Sequence, residues 1–268
     1  MEAFGRLLDV QERLRKECPW DRKQTYESLR PNTIEEVFEL CDALMKNDTK
    51  NICKELGDVM EHIVLYGILG EETGAFDVAD ACIGQCKKLM FRHPFIDWTG
   101  WQDDPKAGET SKPQNSDDVE MTWEQMKQKE KDGNKTVLSG VPDSLPSVIK
   151  AYRIQDKARN VGFDWKDKSD VWAKVREEMD ELEVELRKDD EENSTKELGD
   201  FLFSVINAAR LYHLNPDNAL EHTNQKFIYR FTYVEEQLKK QHKNFKDSSL
   251  EEMDKLWNEA KKLETSQD

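Results

Sequence analysis

A pattern of acidic residues occurs twice in this chain at fixed spacing, and a duplicated pattern constrains the fold more than any single motif. Glu36-Val37-Phe38-Glu39 is followed by Glu55-Leu56-Gly57-Asp58, and Glu178-Met179-Asp180-Glu181 by Glu197-Leu198-Gly199-Asp200. All four acids of the first set recur at one constant offset: Glu36 as Glu178, Glu39 as Glu181, Glu55 as Glu197 and Asp58 as Asp200. Lys88-x-x-x-Arg92 recurs as Lys226-x-x-x-Arg230, and Trp123-x-x-x-Lys127 as Trp257-x-x-x-Lys261, each at a slightly shorter offset. Upstream, Pro19-Trp20-Asp21 lines up loosely with Phe163-Asp164-Trp165. Spacing inside each motif is kept while the connectors shorten. Two copies of one ancestral unit explain this, with a boundary near residue 140.

The unit is helical. Apolar residues at 34, 37, 38, 41, 44 and 45 follow the i, i+3, i+4 rule of a helix with one buried stripe. Thr33 or Asn32, after Pro31, is the expected cap of that helix, with Glu36 completing a capping box. The stretch 55–69 is apolar on nearly all sides. Further helices are predicted near 2–16, 75–92, 119–132, 147–160, 169–188, 194–213, 216–242 and 248–264, and no alternating strand is found. With 12 Gly and 8 Pro in 268 residues, chain breakers are scarce. Residues 99–118 and 133–146 are polar and rich in turn formers. The expected organisation is therefore a first helical unit over 1–132, with a polar loop at 99–118. A linker follows at 133–146, then a second unit over 147–268.

Charge excludes some functions. The 56 acids against 40 bases give a net charge of -16 and a sequence pI of 4.9, the opposite of the basic face that DNA or RNA binding needs. A small phosphorylated ligand, held by local cations or a metal, stays compatible with this balance. No apolar run approaches the roughly 18–20 residues of a membrane span, so no membrane partner is expected. The start of the chain lacks a signal-peptide pattern. Five cysteines without a CxxC indicate reduced thiols and a cytoplasmic protein.

The repeated acids suggest a metal. Residues three apart on a helix are surface neighbours, so Glu36 pairs with Glu39, Glu55 with Asp58, Glu178 with Glu181 and Glu197 with Asp200. Phe201-Leu202-Phe203-Ser204-Val205-Ile206 and Ile63-Val64-Leu65-Tyr66 mark the surrounding helices as built for burial. A buried carboxylate pair costs several kcal/mol per ion unless a cation compensates. Oxygen-only ligands favour Mg²⁺, or Mn²⁺, over zinc or copper. A di-iron carboxylate bundle would need Glu-x-x-His, and none of the five histidines has Glu three residues before it. A solvated acidic face is the plain alternative, and the exact duplication on apolar helices argues against it.

Bases suited to phosphate are also duplicated. Lys226 and Arg230 point the same way from one helix and offer a point charge and a planar fork. Trp257 and Lys261 place an indole beside a second cation, and Lys174 lies one turn before Glu178. No P-loop is present, which argues against an ATPase motor or a kinase of that type.

With Cys18-Pro19-Trp20-Asp21, Arg92-His93-Pro94 and Val161-Gly162-Phe163-Asp164-Trp165 added to these motifs, the chain resembles the MazG family of nucleoside triphosphate pyrophosphohydrolases. The resemblance implies an all-α NTP pyrophosphatase fold, two tandem helical units that form four-helix bundles on homodimerisation. It also implies Mg²⁺-dependent cleavage of NTPs or dNTPs to monophosphate and pyrophosphate, with loose base preference, in nucleotide-pool housekeeping or regulation. The metal ligands it implies are Glu178, Glu181, Glu197 and Asp200. The nucleotide contacts are Lys174, Glu177, Lys196, Lys226, Arg230 and Trp257. Glu177 or Glu178 is the expected general base. The second copy is the expected active one, because Asn32 stands where Lys174 does and Pro94 ends the helix of Arg92. A non-catalytic nucleotide-sensing or partner-docking protein of the same fold, or a helical scaffold, is the alternative.

Overall fold

The computed structural model describes residues 2–101, 114–115, 118–119, 123, 126, 136–165 and 167–264. Among them are nine α-helices and no strand. These are α1 (Glu2–Glu17), α2 (Tyr26–Met45), α3 (Thr49–Glu72), α4 (Val78–Arg92), α5 (Ser147–Asn160), α6 (Lys168–Lys188), α7 (Glu191–Leu211), α8 (Pro216–Lys240) and α9 (Leu250–Glu264). The chain divides into two compact units, Met1–Gly133 and Asn134–Asp268. Most of the helix expected at 119–132 and of the loop at 99–118 lies outside the described residues, as does the start of the stretch at 133–146.

Each unit is organised on a helical hairpin. In the first, α2 and α3 pair, and α1 and α4 pack on α3. In the second, α6 and α7 pair, α5 packs on α7 and α8, and α9 packs on α8. The hairpin turn itself is duplicated. Asn47 and Asp189, at equivalent positions of the two copies, both have positive φ, at 52° and 57°, a conformation that Asn and Asp tolerate better than most residues. The next residues, Asp48 and Asp190, cap α3 and α7 by accepting the backbone N–H of Asn51 and Asn193. The Asn51 and Asn193 amides bond back to the same aspartates at 2.8 Å in both copies. Such a cap contributes about 1 kcal/mol. It fixes where each second helix starts, and so where its acids point.

The start of α2 differs from the sequence expectation. The cap is Thr25, which forms a capping box with Ser28, and Pro31 lies inside the helix. A proline this close to the start forfeits one helical hydrogen bond. The added turn in return buries Leu29, which is 1% exposed, against Leu65 and Leu69, a burial of ~2 kcal/mol. Thr33 is consequently a mid-helix residue. Its hydroxyl donates to Leu29 O (3.1 Å) and lies within hydrogen-bond distance of His62 Nδ1 (2.8 Å) and the Tyr66 hydroxyl (2.6 Å). His62 belongs to this network. Its counterpart Ser204 donates to the Phe201 carbonyl of its own helix.

The second unit has two apolar clusters. Val171, Val175 and Ala208 close α6 on α7, and Val234, Leu238 and Leu256 close α8 on α9. A buried Arg210 on α7 ties down the 161–165 turn through a bidentate pair with Asp164, with Nη1 at 3.1 Å from Oδ2.

Candidate metal and phosphate site

The hairpins bring acids together as triads rather than as sets of four. In the second unit Glu178, Glu197 and Asp200 place carboxylate oxygens within 4.8 Å of one another; in the first, Glu36, Glu39 and Glu55 do so. Glu178 is 7% exposed and Glu55 6%, so each triad has one deeply buried acid. Glu181 and Asp58, also expected as ligands, lie outside these triads.

Lysines account for part of the difference. Lys54 and Lys196 occupy equivalent positions in the two copies. Lys54 turns onto its own acids, at 2.9 Å from Glu55 and 3.4 Å from Asp58. Lys196 turns away to Glu192 at 2.7 Å. In the second unit it is Lys174 that grips the cluster, at 2.7 Å from Glu178 and 2.9 Å from Glu177. Asn32 stands at the position of Lys174 in the first unit.

Protonation follows from this crowding. Burial, reinforced by Asp58 and Glu39, raises the Glu36 carboxyl above the ordinary glutamate range. Burial and then Glu178 do the same for Glu181. Hydrogen bonds to Glu178 and Glu177 push the Lys174 ammonium up, so it stays charged. Glu55 keeps one buried carboxylate oxygen, Oε2, without a hydrogen-bond partner, which costs about 1–3 kcal/mol or more for a charged group.

These observations fit a hard divalent cation. The donors are all oxygen. A spread of up to 4.8 Å spans the ligand separations of an octahedral site with bonds of about 2.1 Å. An orphaned buried carboxylate oxygen is the group such an ion would satisfy.

A pH dependence follows with a definite sign. Glu36 and Glu181 have raised folded values. The stability each lends the metal-free fold is full below the unfolded value and is lost as pH rises through the folded one. A cation must displace those protons. Cation affinity is therefore expected to rise with pH through the acid range, with proton release on binding. Calorimetry in buffers of different ionisation enthalpy measures this; a proton-neutral, pH-independent affinity would contradict it.

The phosphate candidates form a separate group on α8 and α9. Arg230 donates through Nε and Nη2 to Glu264 at 2.8 and 2.7 Å, and its guanidinium lies 5.7 Å from the Trp257 ring centre. Trp257 also packs on Phe227. Lys226 and Lys261 are exposed on the same two helices. The first unit repeats the contact, with Arg92 at 5.3 Å from Trp123. The duplication thus extends from spacing to a tertiary pairing. Glu177 is exposed beside Lys174.

Sequence reasoning missed one duplicated feature. Val10-Gln11-Glu12-Arg13-Leu14-Arg15 matches Ile154-Gln155-Asp156-Lys157-Ala158-Arg159 at an offset close to that of the acids. Both glutamines are buried, and each keeps one buried amide atom without a partner, Nε2 in Gln11 and Oε1 in Gln155. Extending the repeat toward the N-terminus would have found them.

A family model, the MazG nucleotide pyrophosphohydrolase domain, matches this chain twice, over residues 24–96 and 167–234. The chain is 35% identical over 271 residues to the nucleoside triphosphate pyrophosphohydrolase of Escherichia coli K12, covering 98% of this chain and 99% of that one. It is 36% identical over 261 residues to the Thermotoga maritima nucleoside triphosphate pyrophosphohydrolase/pyrophosphatase MazG, covering 96% and 95%. It is also 43% identical over 249 residues to the uncharacterized YabN of Bacillus subtilis, covering 92% of this chain and 49% of that one.

Proposed function

The chain belongs to the MazG nucleotide pyrophosphohydrolase family, and on that premise we propose that it hydrolyses nucleoside triphosphates to monophosphate and pyrophosphate with Mg²⁺ as cofactor. It is a hydrolase of phosphoric anhydrides. Mn²⁺ is the expected substitute for Mg²⁺, base preference is loose, and the role is nucleotide-pool housekeeping or regulation in the cytoplasm. No helix among the described residues is long and apolar enough to cross a membrane. The observation that carries the reading is the Glu178, Glu197, Asp200 triad with Lys174 gripping its buried member.

Each residue has a task in this mechanism. Glu178, Glu197 and Asp200 would hold the ion, with Glu181 beside them, and Glu36, Glu39, Glu55 and Asp58 are their first-copy counterparts. A bound divalent cation neutralises charge on the triphosphate oxygens. Lys226 and Arg230 brace the departing phosphates. Arg230 is suited to this because Glu264 and Trp257 fix its plane while Nη1 takes part in neither bond to Glu264. Trp257 and Lys261 complete the α8–α9 face, and Lys174 and Lys196 flank the acids. A water oxygen bonds to the α-phosphorus. The bond to the α–β bridging oxygen breaks, and pyrophosphate leaves with that electron pair. A carboxylate of the cluster, Glu177 or Glu178, takes the proton.

The working form is a homodimer. Met179, Leu186, Leu198, Leu202 and Val205 are apolar and exposed on α6 and α7. A second copy of the hairpin would cover them as a four-helix bundle.

A product assay tests the function. Purified protein with a panel of NTPs and dNTPs is expected to release pyrophosphate only with Mg²⁺ or Mn²⁺, and none in EDTA. Orthophosphate as the first product, or full activity in chelator, overturns the reading.

A further inference from the structure

The first unit holds a cavity of about 450 Å³ between α2 and α3, beside the turn that joins them, within the size range of small-molecule sites. Its wall carries Glu35, Glu39 and Asp42 of α2, Asp48 at the turn and Glu55 of α3, against a single base, Lys46. Lys46 is held on Asp42 at 2.6 Å, and Asp48 is committed to the cap of α3. Glu55 is 6% exposed; its Oε1 accepts from Lys54 at 2.9 Å, which leaves Oε2 buried without a partner. A buried, unpaired carboxylate oxygen on the wall of an acidic cavity calls for a cation from outside the chain.

We propose that this cavity binds a linear polyamine, with one ammonium donating to Glu55 Oε2, a second to the Glu35–Glu39 wall, and the alkyl spacer lying on Phe38. The inference is independent of the proposed hydrolysis. Three observations favour an organic ammonium over a small metal ion. Of the first-copy triad only Glu39 and Glu55 reach the cavity, and the cation already on Glu55 is an ammonium, that of Lys54. The wall includes Phe38, which is 59% exposed. An aromatic face attracts an ammonium and packs on methylenes, and it offers nothing to a hydrated Mg²⁺. Glu35, Glu39 and Asp42 also follow one stripe of α2 at about one helical turn, ~5.4 Å, apart, which suits ammonium groups separated by three or four carbons. Val37 and Leu44, exposed and apolar, lie on the other side of α2, so a dimer formed through that apolar face leaves the cavity open.

Comparison of the two copies separates this cavity from its counterpart. Phe38 aligns with Asp180, and Asp42 with Val184. The ring that would carry the spacer and one of the acids that would carry charge are therefore particular to the first copy. Glu197, the equivalent of Glu55, is only partly buried.

The test is titration calorimetry of the full-length, metal-free protein with spermidine, at physiological ionic strength, where diffuse surface attraction is screened. Three variants accompany the wild type, with melting curves to confirm folding. Phe38→Ala removes an exposed ring, Asp42→Val installs the second-copy residue, and Glu71→Gln removes an exposed acid of α3 that does not line the cavity. The expected result is a site in each chain whose affinity falls about threefold or more in Phe38→Ala, falls about tenfold or more in Asp42→Val, and is unchanged in Glu71→Gln. Absence of spermidine binding, or a wild-type affinity in either cavity variant, overturns the polyamine site. An equal loss in Glu71→Gln also overturns it, as the mark of diffuse counterion binding. Titration with Mg²⁺ alone supplies the remaining comparison: a protein that takes Mg²⁺ here and no spermidine has a divalent-cation site instead, and the proposal fails.

Discussion

Glu178→Gln lowers kcat/KM for nucleoside triphosphates by about a thousandfold, the equivalent of ~4 kcal/mol of transition-state stabilisation. Glu36→Gln, the equivalent change in the first copy, shifts it by no more than about threefold. The two glutamates are matched in sequence, and their surroundings are not. Glu178 is buried and gripped by Lys174, whereas Asn32 stands at that position in the first copy. Lys54 occupies Glu55 and Asp58 there, while Lys196 leaves Glu197 and Asp200 open. Arg230 lies inside α8 and is braced by Glu264 and Trp257. Arg92 is the last residue of α4, with His93 as its cap and Pro94 next. Phosphate groups that are fixed in place lower the barrier more than mobile ones. The second copy, residues 147–268 in our division of the chain, is thus the expected seat of hydrolysis. Steady-state kinetics on both variants, with melting curves to confirm folding, is the measurement. Equal losses, or a larger loss in Glu36→Gln, would refute the asymmetry.

Leu202→Asp is expected to convert the proposed dimer to a monomer and to remove most of its activity. Leu202 is 52% exposed on α7, just past Asp200. A carboxylate there would be buried unpaired between two hairpins, a cost of several kcal/mol at each of two symmetry-related positions. Light scattering is expected to give twice the 31.4 kDa chain mass for the wild type and 31.4 kDa for the variant. A wild type of 31.4 kDa at micromolar concentration would contradict the dimer. An active monomeric variant would separate dimerisation from catalysis.

The sequence by itself determined the elements and their duplication. Helix periodicity, the constant offset between the two acid sets and the acidic pairs themselves can all be read along the chain. The hairpin turn is equally local, since Asn47-Asp48 and Asp189-Asp190 carry both the left-handed residue and the cap. Only the tertiary structure decided which groups meet. It left Glu181 and Asp58 outside their triads, sent Lys54 inward and Lys196 outward, and set Arg230 on Trp257. It also carried α2 past Pro31, because burying Leu29 outweighed one lost hydrogen bond. The physical reason is range. A helix is encoded by bonds to residues four positions away. The choice among many similar charges turns instead on ångström differences in distance and burial, which arise only when distant segments pack.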